Sequence, residues 1–460
     1  MNPLRSLWLG LRSSLWFVPS AILCVSVIAA LALVDVQTTV DADLASRWPR
    51  LFGAGAEGAR GMLSAIATSM ITVAGVVFSI TVVSLSLAAS QYSPRVLRNF
   101  MSDRATQAVL GAFVAIFAYC LIVLRTVHGP DEGGFVPSLA VLGGMAMAFV
   151  GVFLLIYFVH HVATAIQVSS ILERISAETR DSIERIFPAR LGTTADAASS
   201  SLPLSARAPG AWHDLMAPET GYVIAVDGEA LLDAAQAHSL LIEIIPRIGE
   251  FVIAELPLLR VASTVPLSDK ERARLLRCFT IGRQRTVHQD APFGLQQIVD
   301  VGMKALSPGV NDPTTAISCI DHLGALLAEL ATREVPGPLR ARDGVVHVIA
   351  RRPDFQSMLS LSFDAMSEHA ADHVEVHERI VATLGLLAYA TRDPGRRASL
   401  ARQLDIAASC ARRVGIPRHR RQAFDEGLAT AFARVHGTET PAPVSVLATA
   451  QARGLPERPG

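Results

Sequence analysis

The sequence predicts a two-part chain: four membrane-spanning α-helices, followed by a mixed α/β, mainly helical, C-terminal domain in the cytosol. Three observations support this fold class. Long apolar segments occur only in the first third of the chain. Hydrophobic residues make up 51% of the whole, with a mean hydropathy of +0.38, while 18% are charged. Arginines that flank the apolar segments are more numerous on one side of the predicted membrane than on the other. Such a chain is too apolar for an ordinary soluble enzyme and too charged to lie entirely in a membrane.

Four apolar segments are predicted to be transmembrane helices. A helix needs about 20 residues to cross a bilayer, and each segment is close to this length or longer. None contains Asp, Glu, Lys, Arg or His, so the sequence offers no candidate proton relay or voltage sensor, and passive conduction is favoured over pumping. The first segment could also be a cleaved secretory signal, although its length favours a span. The segments cover about 16–34, 62–92, 105–124 and 136–159, within a transmembrane domain at 1–163.

Arginines close to the spans predict the orientation of the chain. Arg5 and Arg12 precede the first span, and the loop between the second and third spans carries three more, which we call the cytoplasmic mouth: Arg95, Arg98 and Arg104. The positive-inside rule then predicts that both termini are cytoplasmic. Two lysines stand against many arginines and alanines, which is typical of a GC-rich bacterial genome. The predicted location is therefore the bacterial inner membrane.

The second span carries small and hydroxylated side chains along one helical face. Lipid offers a hydroxyl group no hydrogen-bonding partner, so this face must contact another helix or water. Helix packing explains it without a pore, because small residues let helices approach closely in any bundle. The alternative is that the face encloses a hydrated path in a ring of subunits. This polar stripe consists of Ser64, Thr68, Thr72, Gly75, Ser79, Ser86 and Ser90.

The rest of the chain is predicted to be soluble. Helical periodicity continues after the fourth span and predicts a stalk at 164–191. A stretch rich in Ala, Ser, Thr and Pro predicts a linker at 192–218. Short apolar runs separated by turns predict a small α/β segment at 219–268, and helical patterns dominate 269–436. The tail at 437–460 contains several prolines and is predicted to be disordered.

A turn between two predicted helices is the sharpest local pattern in the soluble part. Asp312 suits an N-cap and Pro313 the first helical position, so capping alone explains these residue types. The functional alternative is that the helix N-terminus binds an anion or a phosphate-bearing ligand. The candidate ligand cap consists of Ser307, Asn311, Asp312, Thr314 and Thr315.

Other polar clusters give weaker indications of chemistry. His369, His373 and His377 share one helical face, but a helical row of three gives poor tetrahedral geometry. His288 and Asp290 could act in acid–base chemistry, yet no nucleophile motif or phosphate loop accompanies them. The five cysteines are widely spaced and contain no CxxC. The sequence thus predicts no catalytic residues, no metal site and no cofactor, and the protein is not expected to be an enzyme.

Two segments resemble a known bacterial family. FSITVVSLSLAASQYSPRVLRNF, at Phe78 to Phe100, and GLQQIVDVGMKALSPGVNDPTTA, at Gly294 to Ala316, are similar to hallmark segments of the predicted membrane proteins called domain of unknown function 2254. The resemblance covers most of the chain, to about residue 435. It implies a membrane protein, and it assigns no catalytic residues.

These observations lead to two hypotheses for function. The first is an oligomeric channel-like or transport-related protein with a cytosolic regulatory domain, in contact with lipid, with other copies of itself and with ions. The second is a membrane-anchored cytosolic sensor or scaffold that binds a small anionic ligand or a partner protein. The formal net charge of zero gives no reason to expect nucleic acid as a partner.

Overall fold

A computed structural model describes most of the chain in two compact units, Met1–Ile171 and Leu172–Gly460. The described residues are 16–40, 55–91, 103–128, 135–165, 167–186, 210–333, 337–370 and 373–437.

Among the described residues, the first unit contains four helices that are long and apolar enough to cross a membrane, in agreement with the predicted number of spans. The second helix begins six residues before its predicted start, and the fourth extends six residues beyond its predicted end. Both extensions contain charged or histidine side chains that suit the membrane interface. The helices are α1 (Phe17–Val40), α2 (Ala56–Gln91), α3 (Arg104–Thr126) and α4 (Ser138–Ala165).

Helix α3 lies at the centre of this unit and packs against the other three helices. Its Tyr119 is almost completely buried and donates a hydrogen bond to the carbonyl oxygen of Ala140 on α4, at 2.8 Å. Glycines bring the helices close together. A Cβ on Gly111 would lie 2.7 Å from the Cα of Pro19, and one on Gly143 would lie 2.6 Å from the Tyr119 hydroxyl oxygen. The bundle is therefore held by close contacts of small residues with a few large side chains.

The second unit contains two β-sheets. A five-stranded sheet has the order β1-β5-β3-β8-β7, and a three-stranded sheet has the order β4-β2-β6. Among the described strands, β3 and β8 pair in parallel, and the other pairs are antiparallel. The strands are β1 (Ala211–Met216), β2 (Gly221–Val226), β3 (Leu241–Ile244), β4 (Phe251–Val252), β5 (Pro257–Ser263), β6 (Phe279–Gly282), β7 (Leu339–Arg342) and β8 (Val345–Ala350).

Helices make up most of the second unit. Several begin at an aspartate whose side chain accepts a hydrogen bond from a backbone N–H of the first turn, as at Asp227, Asp290, Asp312, Asp354 and Asp393. The helices are α5 (Val168–Ile186), α6 (Gly228–Ala237), α7 (Asp269–Leu276), α8 (Ala291–Ala305), α9 (Pro313–Thr332), α10 (Phe355–His369), α11 (Val374–Ala390), α12 (Pro394–Val414) and α13 (Arg418–His436).

In two places the described elements differ from the predicted organisation. The predicted linker at 192–218 includes β1, which forms because residues 211–216 pair along their length with β5. The predicted stalk does not run on continuously from the fourth span, since α4 ends at Ala165 and a separate helix, α5, begins at Val168. From Leu172 onward, α5 buries its apolar face inside the second unit, where Leu172, Ile175 and Ile183 are fully buried.

Candidate functional site

The polar stripe lies on the exposed side of α2. Ser64, Thr68, Thr72, Gly75, Ser79 and Ser86 are all exposed. Ser90 belongs to the same helix, but its side chain lies outside the described residues, so its place in the stripe stays a prediction.

The opposite side of α2 is the one that packs within the chain. It faces α3 and α4 with small and apolar side chains: Ala59, Leu63, Ala67, Met70, Ala74 and Val77 are buried. At 3.6 residues per turn these positions lie across the helix from the stripe. Exposed apolar side chains flank the stripe, among them Val76 and Phe78, which are 51% and 58% exposed. Among the described residues, the polar stripe therefore takes no part in the helix contacts of the first unit.

Gly75 shows most clearly that the stripe is not required for packing within one chain. A Cβ built on Gly75 meets no atom within 4 Å. By contrast, a Cβ on Gly151 of α4 would lie 3.0 Å from the sulfur of Met70. The Thr72 hydroxyl donates to the carbonyl oxygen of Thr68 at 2.8 Å, so the helix backbone itself satisfies one stripe hydroxyl.

The predicted cytoplasmic mouth is described only at Arg104. Arg95 and Arg98 lie outside the described residues. Arg104 is exposed at the first turn of α3, next to Asp103, which caps that helix. Asp103 also lies 2.6 Å from Nε2 of His161 near the end of α4. Burial alone would raise the pKa of Asp103, but hydrogen bonds from Thr106 and His161, with the charge of His161, lower it overall. This pair joins the ends of α3 and α4.

The candidate ligand cap is assembled at the start of α9. Asp312 accepts hydrogen bonds from the backbone N–H and the hydroxyl of Thr315, at 3.1 and 2.6 Å. The Thr315 hydroxyl bond is the main cause of the lowered pKa of Asp312. Ser307 instead donates to the carbonyl oxygen of Lys304 on α8, and Thr314 is exposed. A carboxylate of the chain thus occupies the helix N-terminus, and an anionic ligand would have to displace it.

Asn311 connects this turn to the histidine row. It adopts a left-handed conformation, with φ of 52°, and its Oδ1 lies 2.7 Å from Nε2 of His373. His369 contacts the carbonyl oxygen of Ala365, whereas His377 is 1% exposed and neither of its ring nitrogens has a hydrogen-bonding partner in the described part of the chain. Burial lowers the pKa of His377. Within the described residues, no group of three side chains could hold a metal ion.

The residues around His288 have structural roles. Asp290 is 2% exposed at its side chain and accepts two hydrogen bonds from the guanidinium of Arg285, at 2.9 and 3.0 Å. The Gln289 side chain accepts a hydrogen bond from the backbone N–H of Val226 on β2. His288 itself contacts Arg185 of α5. The loop therefore fastens α5 and the small sheet to the start of α8.

The apolar face of α5 indicated that this helix could pack against its own domain, but the sequence did not identify the polar contacts that it makes there. A Cβ on Gly294 of α8 would lie 2.0 Å from the hydroxyl oxygen of Thr179, so only glycine allows this approach. Ser176 lies 2.9 Å from Nδ1 of His322 on α9. We call Ser176, Thr179, Gly294 and His322 the α5 seat. The available signal was Gly294, which opens the second hallmark segment.

Comparisons with known proteins agree with the membrane helices. The family model described as predicted membrane protein (DUF2254) matches residues 12–385. An uncharacterized protein of Mycobacterium tuberculosis (strain H37Rv) is 34% identical over 362 residues, which is 77% of this chain and 68% of that protein. An uncharacterized protein of Mycobacterium bovis gives the same values. No solved structure matches the chain significantly.

Proposed function

Because this chain belongs to the DUF2254 family of predicted membrane proteins, its surroundings are a lipid bilayer, and we propose that it forms a channel-like or transport-related homo-oligomer there. The observation that carries the proposal is the exposure of the polar stripe on a helix whose opposite side is buried. In this proposal, the second unit is the regulatory domain.

Lipid is a poor environment for the stripe. Hydrocarbon offers no hydrogen-bonding partner to Ser64, Ser79 or Ser86, and a Cβ on Gly75 would meet open space. Small residues of this kind are typical of surfaces where two membrane helices approach closely. A second copy of the chain presents the same stripe, so symmetric association can remove the stripe of every copy from lipid.

A ring of such subunits explains the stripe more completely than a dimer does. In a ring, α2 of every subunit faces the axis, where hydroxyl groups can contact water, and the exposed apolar flanks such as Val76 and Phe78 contact neighbouring subunits. The stripe contains no acid or base, so the path supports passive movement of ions or small solutes rather than ion-coupled pumping.

The proposed location is the bacterial inner membrane with both termini in the cytoplasm. The support for this orientation is the arginine distribution, because the cytoplasmic mouth and the arginines after the fourth span lie on the same side as the N-terminus. The second unit is then cytosolic.

Reconstitution of the full chain into liposomes tests the proposal. We expect ion or small-solute flux that depends on the protein, and we expect Ser79→Leu to reduce it at least tenfold by placing an apolar side chain in the path. Ile80→Leu is the matched control, since Ile80 is 38% exposed on the same helix and lies outside the stripe. A tight bilayer under varied voltage and tension, with the stripe in dry helix contacts in an experimental oligomer, would contradict the proposal.

A membrane-anchored sensor or scaffold is the second candidate. The α5 seat favours it, because the helix that follows the fourth span is packed into the second unit through Thr179 and Gly294. A ligand or partner protein that binds the second unit could change this packing. If the protein binds such a ligand or partner and gives no ion or solute flux in liposomes, the result supports this candidate over the channel.

A further inference from the structure

Two arginines of the second unit have no acidic partner among the residues that the structure describes. Arg340 is on β7, and Arg352 follows β8, the strand that pairs with β7. The backbone N–H of Ala350 donates to the carbonyl oxygen of Pro338 at 2.8 Å, which keeps the two strand ends together. Within the described residues, neither arginine is in an ion pair with a carboxylate.

Both side chains are half-buried, and their hydrogen bonds go to backbone carbonyl groups. Arg340 donates through Nη1 to the carbonyl oxygens of Gly337 and Leu339, while its Nη2 is buried without a partner. Arg352 donates to the carbonyl oxygen of Ile186, the last residue of α5. The negative end of a helix dipole attracts a cation there, but it supplies only part of a counter-charge.

The other arginine of β7 shows the usual arrangement. Arg342, two residues beyond Arg340, forms ion pairs with Asp233 and with Glu229, the latter at 3.0 Å. Its pKa is raised, mainly by the hydrogen bond to Asp233. Acidic side chains thus lie within reach of β7, but they form ion pairs with Arg342.

The unpaired arrangement is electrostatically costly. Burial lowers the pKa of Arg340, and burial together with the charge of Arg340 lowers the pKa of Arg352 to about 10. Two like charges that are partly removed from water repel each other, and an anion between them removes this repulsion. Guanidinium groups bind phosphate and carboxylate oxygens through parallel N–H donors, which gives geometric specificity as well as energy.

We propose that Arg340 and Arg352 form a binding site for an oxyanion, specifically the phosphate group of a ligand. The site includes the arginine that holds the C-terminal end of α5. Phosphate binding would reduce the repulsion on Arg352 and so stabilise the end of that helix. An effect of this stabilisation on conduction rests on the proposed function, whereas phosphate binding itself does not.

Thermal unfolding of the full chain in detergent tests the site, with inorganic phosphate as the probe and sodium chloride added to keep ionic strength constant. The unfolding midpoint of the wild-type protein should rise saturably with phosphate. Arg340→Gln and Arg352→Gln should each raise the half-saturating concentration about tenfold or more, since each loses a charge-assisted hydrogen bond. Arg342→Gln is the matched control and should keep the wild-type response.

Several results would overturn the proposal. One is a wild-type midpoint that follows phosphate no more than it follows chloride. Another is an unchanged response in both glutamine variants. If these variants do not fold, Arg340→Lys decides, because it keeps the charge and loses the parallel donors; a full wild-type response in Arg340→Lys contradicts the site. Midpoints report binding whether or not the protein conducts, so this test is independent of the liposome experiment.

The same titration in nanodiscs distinguishes two sources of the phosphate group. Competition by phosphatidylglycerol, but not by phosphatidylcholine, would identify a lipid headgroup as the ligand. A phosphate response that is equal in both lipids would identify a soluble phosphorylated ligand.

Discussion

Two helices of this chain carry rows of hydroxylated side chains, and only one of them uses its row inside the chain. On α5, Ser176, Thr179 and Ser182 are between 0% and 6% exposed, and the row lies against α8 and α9. On α2, the stripe residues from Ser64 to Ser86 are exposed. The same residue types thus serve internal packing in one helix and leave an unoccupied surface in the other. Their partners decide the role, and a single helix pattern does not reveal them.

The largest expected effect is on the hydroxylated row of α5, which packs inside the second unit. Gly294→Ala should lower the stability of the second unit by about 3 kcal/mol, because the new Cβ would overlap the hydroxyl of Thr179. Thermal or chemical unfolding of the full chain measures this loss. Adding Thr179→Ala should recover part of it by removing the clashing atoms. Gly309→Ala is the control, since a Cβ there meets no atom within 4 Å. Equal effects of Gly294→Ala and Gly309→Ala would contradict the close approach.

A second comparison lies within the membrane unit. Gly151→Leu on α4 should lower the stability of the folded chain by about 2 kcal/mol, because its Cβ already approaches the sulfur of Met70 at 3.0 Å. The measurement is the unfolding midpoint in detergent. A variant as stable as wild type would mean that α4 and α2 do not pack at this position.

Gly75→Leu should show the opposite behaviour. Because open space surrounds Gly75, the unfolding midpoint of the single chain should change by less than the equivalent of about 0.5 kcal/mol. Flux through liposomes should fall, since the leucine places an apolar side chain in the proposed path. Reconstitution beside the wild-type protein measures the flux. An unchanged flux in Gly75→Leu would show that the stripe does not line a path.

The sequence predicted the parts of the fold that depend on one segment at a time. Uncharged runs identified four spans, because a bilayer demands length and apolarity that are visible locally. Asp312 followed by Pro313 likewise identified the start of a helix, because capping is a local interaction. Strand β1 was missed because its pairing with β5 is set by residues distant in the chain.

The candidate sites were harder to predict for the same reason. The stripe was visible as a pattern, but its exposure depends on which side of α2 meets α3 and α4. The contact of Thr179 with Gly294 joins residues more than a hundred positions apart. Arg340 lies on β7 and Arg352 follows the neighbouring strand β8, and the lack of a carboxylate partner among the described residues cannot be read from composition.

A pH-dependent effect is expected at a polar side chain that is buried and, among the described residues, has no hydrogen-bonding partner. His377 is 1% exposed, and burial lowers its pKa below the about 6.5 of an unfolded chain. Below about pH 6.5 the unfolded chain takes up a proton that the folded chain does not, so stability falls as the pH decreases, by at most about 1.4 kcal/mol per pH unit. His377→Leu should flatten this dependence, while exposed His369→Gln should leave it unchanged. Unfolding midpoints between pH 5 and 8, values chosen to bracket the titration of histidine, measure the slope; an equal slope in wild type and His377→Leu would show that another group controls it.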